Sequence, residues 1–183
     1  MIPSDNLFLI GLMGAGKTTI GRLLARHRGQ EFIDTDHAIE ACCGVSIATI
    51  FEIEGEAGFR KREVAKIDEL SRRQGIVLAT GGGAVLDPLN REHLRARGTV
   101  VYLSCAPEDL YQRIRNDRNR PLLQTDDPLA RLVALHQQRH PLYLETADIV
   151  LESGRQSAHC LVRRLETALA EAAGRPLAGA LSA

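Results

Sequence analysis

The stretch Leu7-Phe8-Leu9-Ile10-Gly11-Leu12-Met13-Gly14-Ala15-Gly16-Lys17-Thr18-Thr19 decides the fold. Its first four residues are an apolar run of the kind that forms a buried parallel strand. The next eight, Gly11 to Thr18, fit the phosphate-binding pattern G-x-x-x-x-G-K-[ST] in full. Glycines let such a loop turn successive backbone N–H groups inward, and the helix that follows adds its positive end. Lys17 supplies a point charge for β- and γ-phosphates, and the Thr18 hydroxyl is a ligand for Mg²⁺. A strand before the motif and a helix after it give the context that the pattern requires.

Beyond this loop, short apolar runs alternate with longer amphipathic ones. Glu31–Ile33, Ile76–Ala79, Val100–Leu103 and Asp148–Leu151 read as further strands. Lys17–His27, Ala57–Arg73, Leu89–Arg97, Pro107–Asn116, Pro128–Arg139 and Ser157–Ala172 read as helices. Strand–helix alternation predicts an α/β sandwich around a parallel sheet. Two regions resist the pattern. Asp34 to Phe51 has few strong apolar anchors, and Arg113 to Pro128 carries too many charges to bury, as a lid would. The last residues, 174–183, are small and weakly patterned, as a loose tail would be.

The chain has 183 residues, one domain's worth, with 44% hydrophobic and 25% charged residues. Lys plus Arg is 23 and Asp plus Glu is 23, so there is no basic excess to suggest nucleic acid or a membrane surface as partner. No apolar run approaches the roughly 18 residues of a membrane span. Met1 to Asn6 lacks the basic start of a secretion signal. Cys42, Cys43, Cys105 and Cys160 contain no C-x-x-C, which fits reduced thiols in a cytoplasmic protein. His136 and His140 are spaced i, i+4 without an acid, and Pro141 is expected to end their helix, so a metal site is not read there.

A phosphate cradle alone does not name a function. A GTPase would carry an N-K-x-D guanine reader, yet Val100–Leu103 is followed by Ser104-Cys105-Ala106-Pro107. A motor-type ATPase would end a strand in acidic residues, yet Ile76–Ala79 runs into Thr80-Gly81-Gly82-Gly83. Carboxylates come instead from Asp34-Thr35-Asp36. Their i, i+2 spacing at a strand end would send both toward the phosphates, one near Mg²⁺ and one as base for an attacking hydroxyl. Asp36 would serve equally as a helix cap. Arg60 lies i+4 from Glu56 and i−3 from Glu63, which suits either a solvated ion-pair ladder or an arginine fork aimed at an anion. Three consecutive glycines suit close approach of backbone to a ligand better than a plain turn. Arg120 suits either the neutralising of a transferring phosphoryl group or plain solvent exposure, and Arg139 suits a favourable charge at a helix C-terminus.

Taken in order, six motifs make the chain resemble shikimate kinase, a small-molecule kinase of the nucleoside-monophosphate-kinase-like branch. They are Gly11–Thr18, Asp34-Thr35-Asp36, Gly55-Glu56-Ala57-Gly58-Phe59-Arg60, Gly81-Gly82-Gly83, Arg120-Pro121-Leu122-Leu123 and Arg139 with Tyr143. The resemblance spans Leu7 to Leu169. It implies a three-layer α/β/α P-loop kinase fold, with a five-stranded parallel sheet in the order 2-3-1-4-5. It implies one kinase domain over 1–183, a substrate-binding region at about 35–62 and a lid at about 112–127.

The implied reaction moves a phosphoryl group from ATP, the co-substrate, to the 3-hydroxyl of shikimate. It gives shikimate 3-phosphate and ADP on the route to chorismate and the aromatic amino acids. Gly14, Ala15, Gly16, Lys17, Thr18 and Thr19 would hold the ATP phosphates, with one Mg²⁺ per subunit on Thr18 and, through water, on Asp34. Asp36 would be the base. Arg60 and Arg139 would grip the substrate carboxylate, and Gly81, Gly82 and Gly83 would meet its ring hydroxyls. Arg113 and Gln156 would touch adenine, and Arg120 would reach ATP from the lid. Lys17, Asp36 and Arg120 form the expected catalytic set. A monomer with no nucleic-acid partner is the simplest reading. A gluconate-type kinase and a non-catalytic nucleotide-binding regulatory module are the alternatives.

Overall fold

Short β-branched runs that pair only with their neighbours in a parallel sheet must be covered by helices on both sides. The computed structural model describes residues 5–115, 125, 127–154 and 156–172. Its strands are β1 (Leu7–Ile10), β2 (Glu31–Asp34), β3 (Ile76–Ala79), β4 (Thr99–Ser104) and β5 (Ile149–Glu152). They form one five-stranded sheet in the order β2-β3-β1-β4-β5, parallel at every pairing. Leu7 pairs with Val77 on one side and Thr99 on the other, which sets the register of the three inner strands. Those three are buried end to end except Thr99 and Ser104, while the outer β2 and β5 stay half open, as edge strands do.

The helices are α1 (Lys17–Arg28), α2 (Thr35–Cys43), α3 (Ile47–Ser71), α4 (Pro88–Arg97), α5 (Pro107–Ile114), α6 (Pro128–Thr146) and α7 (Ala158–Ala172), with a 3-10 turn at Ala84–Leu86. α1 packs against α7. α3, α4 and α6 form a second row, with α5 against α6. No described helix is long and apolar enough to cross a membrane.

Three expectations change. α3 begins at Ile47, ten residues before the reading from periodicity, and Gly55 interrupts it with φ 69° and ψ −179°. The region 35–59 does have apolar anchors. Ile39, Ile50 and Phe59 form a small core of their own, backed by Cys43, Ile47 and Phe51. Pro141 does not end α6, which runs on to Thr146. Proline lacks the N–H that would meet the Gln137 carbonyl one turn back, and both residues lie on the exposed side of the helix. The tail at 174–183 and most of the expected lid lie outside the described residues.

Asn6 ties the sheet to the helix ends. It is buried, and its amide donates to the carbonyls of Arg73 (2.6 Å) and Arg97 (3.3 Å), while its Oδ1 accepts from Ile76 N–H (3.2 Å). These are carbonyls at and just past the ends of α3 and α4, which the helices themselves leave unpaired. Asn6→Ala is expected to cost about 2–3 kcal/mol and to lower the melting temperature by about 5–10 °C. Scanning calorimetry measures the loss, and steady-state kinetics are expected to stay unchanged.

Candidate active site

Strand ends dictate where the site lies. β1 and β3 run their carboxyl ends into loops and β2 turns directly into α2, all at the same end of the parallel sheet. They line a cavity of about 1140 Å³. The cavity brings together Gly14, Ala15, Gly16, Lys17, Thr18, Thr19, Asp34, Asp36, Arg60, Gly81, Gly82, Gly83, Arg113, Arg139 and Gln156. Arg120 lies outside the described residues.

The loop after β1 needs positive φ at Gly14 (80°) and at Gly16 (98°), the cap of α1, which explains two glycines of the motif. Lys17 Nζ donates to the carbonyls of Gly11 (2.7 Å) and Leu12 (2.9 Å), so the ammonium is folded over its own loop. Thr18 Oγ1 donates to Asp34 Oδ2 at 2.9 Å. A hydroxyl beside a carboxylate at the mouth of a phosphate loop is the donor set that a hard, oxygen-seeking cation accepts. Among the described residues no cluster of three or more His, Cys, Asp or Glu could cage a metal, so water and phosphate oxygens would have to supply the rest.

Asp34 and Asp36 are not both on the strand. β2 ends at Asp34 and α2 starts at Thr35, and Asp34, not Asp36, caps the helix through the N–H groups of Asp36 (3.1 Å) and His37 (3.4 Å). The strand-to-helix turn replaces the extended geometry yet still sends both acids into the cavity. Asp36 Oδ1 is buried with no hydrogen-bond partner. Burial, and then the charge of Asp34, push its carboxyl above the usual aspartate range.

Arg60 is a braced fork rather than a solvated ladder. Nη1 donates to Glu63 Oε2 at 2.6 Å and Nη2 to Glu56 Oε1 at 3.0 Å. Burial works against the charge, but Glu63 and Glu56 outweigh it and hold the guanidinium above its ordinary value. Glu63 is fully buried, and burial raises its carboxyl against the pull of Arg60. The fork lies against the triple glycine. A Cβ at Gly83 would come within 2.3 Å of the Arg60 guanidinium, and one at Gly81 within 2.6 Å of Glu63 and 2.9 Å of Asp36. So Gly81 and Gly83 are glycine because charged side chains occupy the space beside them.

Arg139 completes the basic wall from α6. It is only 3% exposed, its Nε and Nη1 have no hydrogen-bond partner, and burial disfavours its charge. At the other end, Arg113 donates to the carbonyl of Gly14 (3.1 Å) and to those of Ser153 and Gly154, which joins the phosphate loop to the loop before α7. Gln156 sits in that second loop and accepts from Arg164 at 2.7 Å. Residue spacing did not foretell the aromatic wall, where Phe51 and Phe59 meet with ring centroids 4.9 Å apart. Phe59 sits beside Arg60 in its motif, but nothing in the spacing paired it with Phe51. Nor did spacing reveal the complete burial of Glu63, although its i+3 relation to Arg60 was the available signal.

A family model described as shikimate kinase matches residues 13–170. The shikimate kinase of Thiobacillus denitrificans is 63% identical over 165 residues, covering 90% of each chain. That of Cupriavidus pinatubonensis is 59% identical over 167 residues, covering 89% of this chain and 87% of its own. The solved structure of shikimate kinase from Acinetobacter baumannii in complex with shikimate superposes with a TM-score of 0.90 at 46% identity, over 93% of this chain and 95% of that one. Sheet order, motif set and these likenesses agree that the chain belongs to the shikimate kinase family, and shikimate kinase activity is its function.

Proposed function

We propose that the two ends of the cavity divide the reaction, with Mg-ATP on the phosphate loop and shikimate between the triple glycine and the arginines. The observation that carries this reading is Arg139: a nearly buried guanidinium with two unpartnered nitrogens, lining the same cavity as the braced fork of Arg60. Two such groups call for an anionic ligand, and a planar carboxylate matches their geometry.

The backbone N–H groups from Gly14 to Thr19 receive the phosphates, and Lys17 swings from its own loop carbonyls onto them. Thr18, with Asp34 through water, would hold Mg²⁺. When bound, the ion neutralises phosphate charge. Asp36 accepts the proton of the shikimate 3-hydroxyl as that oxygen attacks the γ-phosphorus, and its raised pKa suits it to the task. Gly82 offers backbone to the ring hydroxyls. Arg113 lies over the adenine with Gln156 beside it. Arg120 keeps its expected contact with ATP on the strength of its motif. The reading keeps a monomer, without a nucleic-acid partner, as its simplest form.

An ADP-release assay with Mg-ATP, run with shikimate, with gluconate and with neither, tests the reading. Turnover on shikimate alone is expected, and turnover on gluconate instead would keep an anion grip but overturn shikimate as the acceptor. Asp36→Asn is expected to cut turnover by about 10²–10⁴-fold while nucleotide binding, followed by calorimetry, survives. The acid limb of kcat/KM against pH should lie above about pH 4, the ordinary aspartate value. Activity falls as pH drops through the limb, because the base must be ionised. A side chain at Gly83 would displace the fork, and Ala suits the backbone there (φ −97°, ψ −2°). Gly83→Ala is therefore expected to raise the KM for shikimate about tenfold, or 1.4 kcal/mol, with little change in melting temperature.

A further inference from the structure

All three carbonyls of the glycine turn after β3 accept hydrogen bonds, but not from the same kind of donor. Ala84 N–H serves Gly81 at 3.1 Å and Leu86 N–H serves Gly83 at 3.0 Å, both within the turn. The Gly82 carbonyl is served by the Tyr143 hydroxyl, 61 residues away on α6. Gly82 is also the glycine seated on the phosphate loop. A Cβ there would stand 3.4 Å from the Met13 nitrogen and 3.5 Å from the Gly11 oxygen.

The tyrosine is held for this contact. Its ring is fully buried and stacks on Tyr102, centroids 4.8 Å apart and 24° from parallel. Tyr102 is itself fixed by a 2.9 Å hydrogen bond between its hydroxyl and His140 Nδ1. Tyr143 follows Arg139 by four residues, so the two share one face of α6. Burial raises the Tyr143 hydroxyl's pKa, and the nearby Arg139 charge opposes that rise.

We propose that Tyr143 is a positioning residue for the phosphoryl acceptor, its hydroxyl bonding the Gly82 carbonyl to α6 so that the glycine turn and Arg139 hold shikimate at a fixed spacing. The proposal rests on Gly82 and Arg139 being shikimate contacts. Phosphoryl transfer depends on position, and misplacement by about an ångström costs on the order of a hundredfold. A hydroxyl that joins two parts of one grip would therefore show itself in substrate kinetics, not only in stability.

The test is Tyr143→Phe in the full chain, which keeps the ring and deletes the bond. The KM for shikimate is expected to rise about tenfold and kcat/KM for shikimate to fall about 10–100-fold, with the KM for Mg-ATP unchanged within about twofold. A lower melting temperature with both KM values unchanged would mean a structural role only and overturn the proposal. Arg139→Lys in the same assay separates the two levels. If it leaves the KM for shikimate unchanged, the reading of the site fails and takes the proposal with it. If it raises that KM while Tyr143→Phe does not, the proposal alone fails. A wild-type measurement guards against a variant that does not fold. The hydroxyl proton of Tyr143 is expected to stay protected from solvent exchange when shikimate binds, and loss of that protection on binding would show the bond released and overturn the proposal.

Discussion

The basic wall of the cavity hangs on one buried ion pair, Arg60 with Glu63 at 2.6 Å. Glu63 is wholly out of water, so its charge is tolerable only beside the guanidinium. The guanidinium in turn is aimed only because Glu63 and Glu56 hold it from two sides. The pair shapes its neighbours as well. It occupies the space that side chains at Gly81 and Gly83 would need, so a side chain there would push the charged groups aside. Removing one member would leave a buried charge unmatched, at a cost of about 3–5 kcal/mol.

Across the cavity the same logic runs in reverse. Arg139, with two nitrogens unpartnered, and Asp36, with a buried unpartnered oxygen, are left incomplete by the protein itself. Both carry the marks of burial, a guanidinium whose charge is disfavoured and a carboxyl pushed up. A ligand with a carboxylate at one end and a hydroxyl at the other would satisfy both. Asp34 shows how little is spared elsewhere. One oxygen caps α2 while the other accepts from Thr18, so the residue that starts the helix also faces the phosphate loop.

The fold was largely legible because its signals are local. Apolar runs at 7–10, 76–79 and 100–103 mark inner strands, and Gly11–Thr18 marks the turn between the first of them and α1. The motifs at 11–18, 34–36 and 81–83 sit at strand ends, which is why their residues line one cavity, whereas Arg60 and Arg139 reach it from inside α3 and α6. What stayed hidden depends on distance in the chain. The small core of Ile39, Ile50 and Phe59 joins residues too scattered for any period to reveal. The length of α6 was misjudged because proline is read as a stop, whereas here the helix runs on past Pro141 on its exposed side, with Leu142 and Tyr143 packed inward. Asp36 and Asp34 both line the cavity, but which one caps α2 depends on a helix start that neither spacing nor charge decides.

That small core has a consequence of its own. It is separate from the large one, which is built on the sheet, and it backs the elements carrying Asp36, Phe51 and Arg60. Residues around α2 and the first turns of α3 therefore shift about a packing centre of their own. They stay coupled to the sheet, since Ala38 packs on its core and Thr35 Oγ1 donates to the Ala79 carbonyl at 3.1 Å, so a change of shape there is felt at the end of β3.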